Sequence, residues 1–218
     1  MATYTWTGTI SDDVSLAANY SPTNGPPGPG DTVNQNGTEV ICPGSGSITV
    51  AVWNVTGTAN EDGGDNNDFT ITAGALNFST SGIINSGTWN GPANFTRGNL
   101  GGGIWNGNVS ITDTAGSVII NYTTFNNPVT LDTTGNTAHG ITVNRAMFNA
   151  PVTAVGQYTK IGGTGANTPT FNSTLTVSLN AQVRNAKLGG SGSLVFTAQT
   201  LYSSRPFLPR AMSGGYNG

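Results

Sequence analysis

Charge is scarce in this chain. Only 8% of its 218 residues are Asp, Glu, Lys or Arg, against roughly a quarter in ordinary globular domains. The seven basic residues form no cluster, which excludes a nucleic-acid groove. Cys42 is the only cysteine, so no disulfide can close within the chain; it precedes Pro43 and has no base nearby in sequence, which argues against a thiol nucleophile. His139 is the only histidine, in a Thr-Ala-His-Gly loop setting. No apolar run approaches the ~20 residues of a membrane span. Met1-Ala-Thr-Tyr-Thr-Trp6 has neither the basic start nor the apolar stretch of a secretory signal, so synthesis and folding in a host cytoplasm are expected. No segment carries the period of an amphipathic helix, and Gly101-Gly-Gly103 has no helix after it to make a phosphate loop.

What is abundant is small and polar. The chain holds 32 glycines, 26 asparagines and many Thr and Ser, punctuated by eight Phe, four Trp and six Tyr. The aromatics are patterned, which sets the chain apart from disordered low-complexity sequence. Five segments repeat an aromatic, Asn, a small residue and two alternating apolar positions. They start at Trp89-Asn90, Trp105-Asn106, Phe125-Asn126, Phe148-Asn149 and Phe171-Asn172, spaced 16, 20, 23 and 23 residues apart. Six of the twelve Trp and Phe residues are followed by Asn, the sixth pair being Trp53-Asn54. Offsets 0, +2, +4 and +6 are apolar or small and +5 is polar, the alternation of a strand with one buried face. Pro92, Pro128 and Pro151 share offset +3, a position that therefore lies at a bend, because proline cannot serve a strand centre. A repeat of this length predicts stacked coils, with aromatics in one column, aliphatics in another and asparagines in an amide ladder.

The opening adds a resemblance. Trp6-x-Gly8, Ala18-Asn-Tyr20-Ser-Pro22 and Pro27-Gly-Pro-Gly-Asp-Thr-Val33 resemble the start of Gly/Asn/Thr-rich β-helical surface proteins of bacteria and their phages, where such a segment leads into pectin-lyase-like coils. The expected fold is all-β: a single-stranded, right-handed parallel β-helix with an N-terminal strand, cap and proline-rich loop over 1–35, solenoid coils over 36–198, and a non-repetitive tail over 199–218. The tail, Leu201 to Met212, is apolar, basic and twice interrupted by Pro; it is expected to cap the open end or to dock a partner through Arg205, Phe207, Leu208 and Arg210.

Residues 1–96 hold eight acidic residues and no basic one, while residues 133–218 hold six basic residues and no acidic one. In a solenoid, sequence order is spatial order, so the rod would be negative at one end and positive at the other, a field able to steer docking. Glu61 to Asp68 offers four carboxylates to calcium but occurs once, and reads as a solvated loop. Asp113 and Asp132 fall at similar offsets in consecutive repeats, near the spacing of a glycosidase pair; each is followed by Thr at a strand end, the place of a turn-forming Asp. No catalytic residue, metal or cofactor is assigned. The expected function is a non-enzymatic structural protein of a phage virion: a short homotrimeric rod acting as capsid decoration or cement, or as part of a spike or fibre, against the major capsid protein, without nucleic acid or membrane. A receptor- or glycan-binding adhesin and a small polysaccharide depolymerase are the alternatives.

Overall fold

A two- to five-residue strand with one apolar face cannot shield itself, so each repeat depends on its neighbours along the chain. In the computed structural model, which describes residues 1–36, 43–58, 69–84, 86–112, 116–136, 138–162, 167–178 and 180–197, these neighbours stack as a parallel β-solenoid of about seven turns. Ile48 pairs in register with Ile71, Ile71 with Trp89, Trp89 with Trp105, Trp105 with Phe125, Phe125 with Phe148, Phe148 with Phe171 and Phe171 with Leu188. Among the described residues the only helix is the single 3-10 turn Ala17–Asn19.

Each full coil runs over three faces. Face one holds the short strands Thr88–Asn90, Ile104–Trp105, Thr124–Phe125, Met147–Phe148, Thr170–Phe171 and Lys187–Leu188. Face two holds Val109–Thr112, Val129–Asp132, Val152–Val155, Thr174–Ser178 and Ser193–Phe196. Face three holds Val118–Ile120, Ile141–Val143, Thr159–Ile161 and Gln182–Val183. In the first coils the strands Ser47–Gly57 and Thr70–Ile84 bend across faces without a break.

The corner between faces one and two is the rigid one. In the five repeats the inward residue of face two always comes four after the aromatic: Ala93, Val109, Val129, Val152 and Leu175 pair with one another in turn. Offset +2 does not belong to the buried alternation expected of it. Gly91, Gly107, Asn127, Ala150 and Ser173 are half-buried at the bend, beside the prolines. Proline loses nothing there, because its carbonyl is the group in use: Leu76, Val109 and Val129 donate their amides to the carbonyls of Pro92, Pro128 and Pro151. Coils approach so closely here that a Cβ on Gly107 would overlap the Gly91 carbonyl. Insertions fall at the other corners, which accounts for the unequal coil lengths.

Inside run the expected columns. Phe125, Phe148 and Phe171 stack at 4.9 and 4.8 Å, and Trp89 stacks on Trp105 at 5.3 Å, the spacing of neighbouring strands. The Trp105 indole nitrogen is buried without a hydrogen-bond partner, whereas that of Trp89 donates to the Ser86 carbonyl at 2.8 Å. Outside runs the amide ladder. Asn106, Asn126, Asn149 and Asn172 each donate from Nδ2 to Oδ1 of the Asn one coil earlier, at 2.7 to 2.9 Å. Trp53-Asn54 is not a member of this series. It lies on face two, pairing with Leu76-Asn77, and Asn54 belongs to a second ladder of Asn34, Asn54, Asn77 and Asn94.

The N-terminal segment both seals the rod and starts its ladder. Thr3–Trp6 pairs parallel with Thr32–Gln35, which pairs parallel with the strand from Ser47, so stacking begins before residue 36. Trp6 and Tyr20 are buried and meet edge to face, and Trp6 lies against Trp53. Asn19 is fully buried; its Oδ1 accepts from the amides of Ile10 and Ser11, and its Nδ2 donates to the Asp13 carbonyl. Tyr20 donates its hydroxyl to the Val14 carbonyl at 2.6 Å. Asp31 accepts from the amides of Ala2 and Gly28. These are the residues that carry the sequence resemblance, and in the fold they form one plug.

Four outcomes follow from this geometry. Phe148→Ala should lower stability by about 3–5 kcal/mol and Asn126→Ala, which breaks two exposed bonds, by about 1–2 kcal/mol, measured by denaturant unfolding. Gly107→Ala should cost about 1–3 kcal/mol despite adding one carbon. The plug should be pH-sensitive at both extremes. Burial, with a smaller push from the Asp13 carboxylate, raises the Tyr20 hydroxyl above its ordinary value. That contribution is complete below the ordinary tyrosine value of about 10 and is lost as pH climbs from there towards the raised folded value. The Ala2 and Gly28 amides hold the Asp31 carboxylate below its ordinary value; that contribution is present above about 4 and is lost as pH falls through the lowered one. Thermal melts against pH should show both limbs, and Tyr20→Phe should remove the alkaline one alone.

Candidate functional site

The residues singled out for the repeat occupy two layers. Trp89, Trp105, Phe125, Phe148 and Phe171 are fully buried, so they hold the rod together and meet no ligand. Asn90, Asn106, Asn126, Asn149 and Asn172 lie on the outside of face one, where Asn90 donates to the Thr72 hydroxyl at 3.2 Å and the others continue the ladder. With one N–H and one acceptor site of each inner amide used along the axis, half of its hydrogen-bonding capacity is committed to the ladder. On face two the outward Ser110, Thr130, Thr153 and Thr176 lie in register coil to coil.

Arg205, Phe207, Leu208 and Arg210 of the tail, Cys42, the Glu61 to Asp68 run and Asp113 lie outside the described residues. Asp132 is described, and its carboxylate accepts from the Thr134 amide two residues on, at 2.8 Å, the local bond of a turn-forming Asp. Its register partner is Thr112 rather than residue 113. His139 is exposed and its carbonyl accepts from the Asn136 side chain. Among the described residues no three His, Cys, Asp or Glu gather closely enough to hold a metal ion. A shallow open depression of about 250 Å³ is lined by Thr133, Thr134, Asn136, Gly156, Gln157 and Asn180; every lining side chain is neutral.

Two features carry more. The first is the C-terminal end of the described rod. Leu188 and Val195 are exposed there, and Phe196, which continues the buried column of Leu131, Ala154 and Val177, is 56% exposed. The second is the corner between faces three and one. Tyr122 stands on it in the left-handed region, φ 53°, 63% exposed. The Arg145 guanidinium, one coil later, lies 5.2 Å from the ring centroid and donates to the Tyr122 hydroxyl. Arg184 and Lys187 follow on the same corner in the last coil, and Lys160 projects from face three beside it. Three of the five described Lys and Arg residues thus share one corner with Lys160 beside it; Arg97 is the fifth. No cluster exists in the sequence because the coil length, 17 to 23 residues, separates them along the chain; only the register of face three against face one brings them together.

Comparison with protein-family models, with curated proteins and with solved structures finds no match.

The role of Asp132 is directly checkable. Asp132→Asn keeps the accepting Oδ1 and should shift stability by less than about 0.5 kcal/mol, whereas Asp132→Ala should cost about 0.5–1.5 kcal/mol in the same thermal melt.

Proposed function

We propose that this chain is a non-enzymatic structural protein of a phage particle, a short β-rod that decorates or cements a capsid or forms part of a spike or fibre. The observation that carries this reading is the asymmetry of the two ends. The first is closed by a plug of Trp6, Tyr20 and the saturated Asn19. At the other, among the described residues, interior positions such as Phe196 and the free edge of the last strands stand open. An open solenoid end exposes both core and unpaired backbone and calls for a cover; a rod with such an end among its described residues is suited to standing on a larger body, such as the major capsid protein. Its work is mechanical. Stacked ladders resist unfolding, the amide rows hold the outer surface, and no cofactor is required.

Purified particles test this directly. The chain should be present at fixed stoichiometry by quantitative mass spectrometry, and particles made without it should lose integrity at a lower temperature. Its absence from particles, together with a positive glycan array or capsule-clearing activity of the pure protein, would replace this reading with the adhesin or the depolymerase respectively.

A further inference from the structure

Among the described residues, two buried side chains carry a polar atom without a hydrogen-bond partner: Ser86 at its hydroxyl and Trp105 at its indole nitrogen. Ser86 stands on the corner between faces three and one. Trp105 enters face one just past that corner, one coil later. A buried polar group left unpaired forfeits its hydration, and native interiors rarely leave one so. Two in successive coils at one corner call for a common cause. The tryptophan stack shows what differs there. Trp89 and Trp105 lie parallel, with an interplanar angle of 6°. Trp89 donates its N–H to the carbonyl three residues back, that of Ser86, at 2.8 Å. The carbonyl in the same place for Trp105 is that of Gly102. It faces the Thr123 hydroxyl of the next coil at 3.4 Å and takes nothing from Trp105. In the coil after that the ring is Phe125, which has no N–H to satisfy.

Side chains are nearly missing at this corner. It reads Ser86-Gly87 in one coil and Gly101-Gly102-Gly103 in the next. The two coils meet backbone to backbone: a Cβ on Gly103 would stand 3.0 Å from the Ser86 carbonyl oxygen. The Phe69 ring lies against Gly87, and Thr123 is buried in the following coil. We propose that one water molecule is held inside the rod here, accepting from the Trp105 indole N–H and from the Ser86 hydroxyl. It donates in turn to a carbonyl of the same corner. Those of Ser86 and Gly102 each accept one bond already, and a carbonyl oxygen has two lone pairs. Three partners are the usual number for a buried water. These groups are all neutral, so nothing here would hold an ion. The water does for the second tryptophan what the Ser86 carbonyl does for the first, and so allows an indole at two successive levels of the column.

Magnetisation transfer from water, read by NMR on the nitrogen-labelled full chain, tests the site. The chain has four tryptophans, so the indole region is simple, and loss of one signal in Trp105→Phe identifies Trp105. In the parent, the Trp105 indole proton should show a water cross-peak of opposite sign in NOE and ROE spectra, the behaviour of a long-lived bound water. Trp53 and Trp89, which donate to the Gln35 side chain and to the Ser86 carbonyl, should show none. Ser86→Ala removes one of the partners of the water and should abolish the Trp105 cross-peak, with the Trp53 resonance unmoved as the sign of an intact fold. The absence of a cross-peak at Trp105 in the parent would overturn the proposal. So would a cross-peak of the same sign in both spectra, which reports exchange with bulk solvent, or one that persists undiminished in Ser86→Ala. The parent measurement needs no variant to fold, and no outcome depends on where the chain resides in a particle.

Discussion

Beyond the plug, a strand in this rod finds its backbone partners only in the coils before and after it, and that dependence governs the other features. Parallel pairing in register places chemically equivalent residues about 4.8 Å apart. Whatever occupies one position must therefore tolerate its own kind above and below. Flat rings tolerate it, as Phe125, Phe148 and Phe171 do with interplanar angles of 7° and 3°. Primary amides tolerate it better still, since each carries a donor and an acceptor. Charges do not, and a chain whose outer positions repeat at this spacing has a physical reason to hold so few of them.

The same constraint decided how much could be read from the residues alone. The columns were legible because stacking imposes like on like: an aromatic, an asparagine and two aliphatics recur at fixed offsets, and the architecture follows. The bend was legible only in part. Proline marks offset +3, yet offset +2 was assigned to the buried face because Gly, Ala and Ser there are as small as core residues in a tight coil. Only the close approach of Gly107 to Gly91 separates a small residue at a corner from a small residue in a core. The face of Trp53-Asn54 was not legible for a related reason. Faces one and two each carry an asparagine beside an inward residue, and a dipeptide does not say which face it is on.

Other features were hidden because they depend on register between distant residues. The plug rests on Asn19, one of 26 asparagines, distinguished by the four groups that converge on it rather than by its neighbours. The basic corner is assembled from three successive coils with unequal insertions. The polarity of charge along the sequence pointed to opposite ends, and register adds that Arg145, Arg184 and Lys187 share one corner. The tail, the acidic run and Asp113 lie outside the described residues, so the roles weighed for them rest on composition alone.

The constant four-residue step across the first corner makes the rod modular in length. Phe125 and Phe148 are in register and are followed by the same Asn and, two residues later, by the same Pro-Val-Thr. Joining Phe125 directly to Asn149 would excise one complete winding of 23 residues and leave every remaining column with an equivalent neighbour. Duplicating that winding would lengthen the rod by a single layer. A lineage carrying this chain can thus adjust the reach of its rod in increments of about 4.8 Å without designing a new core.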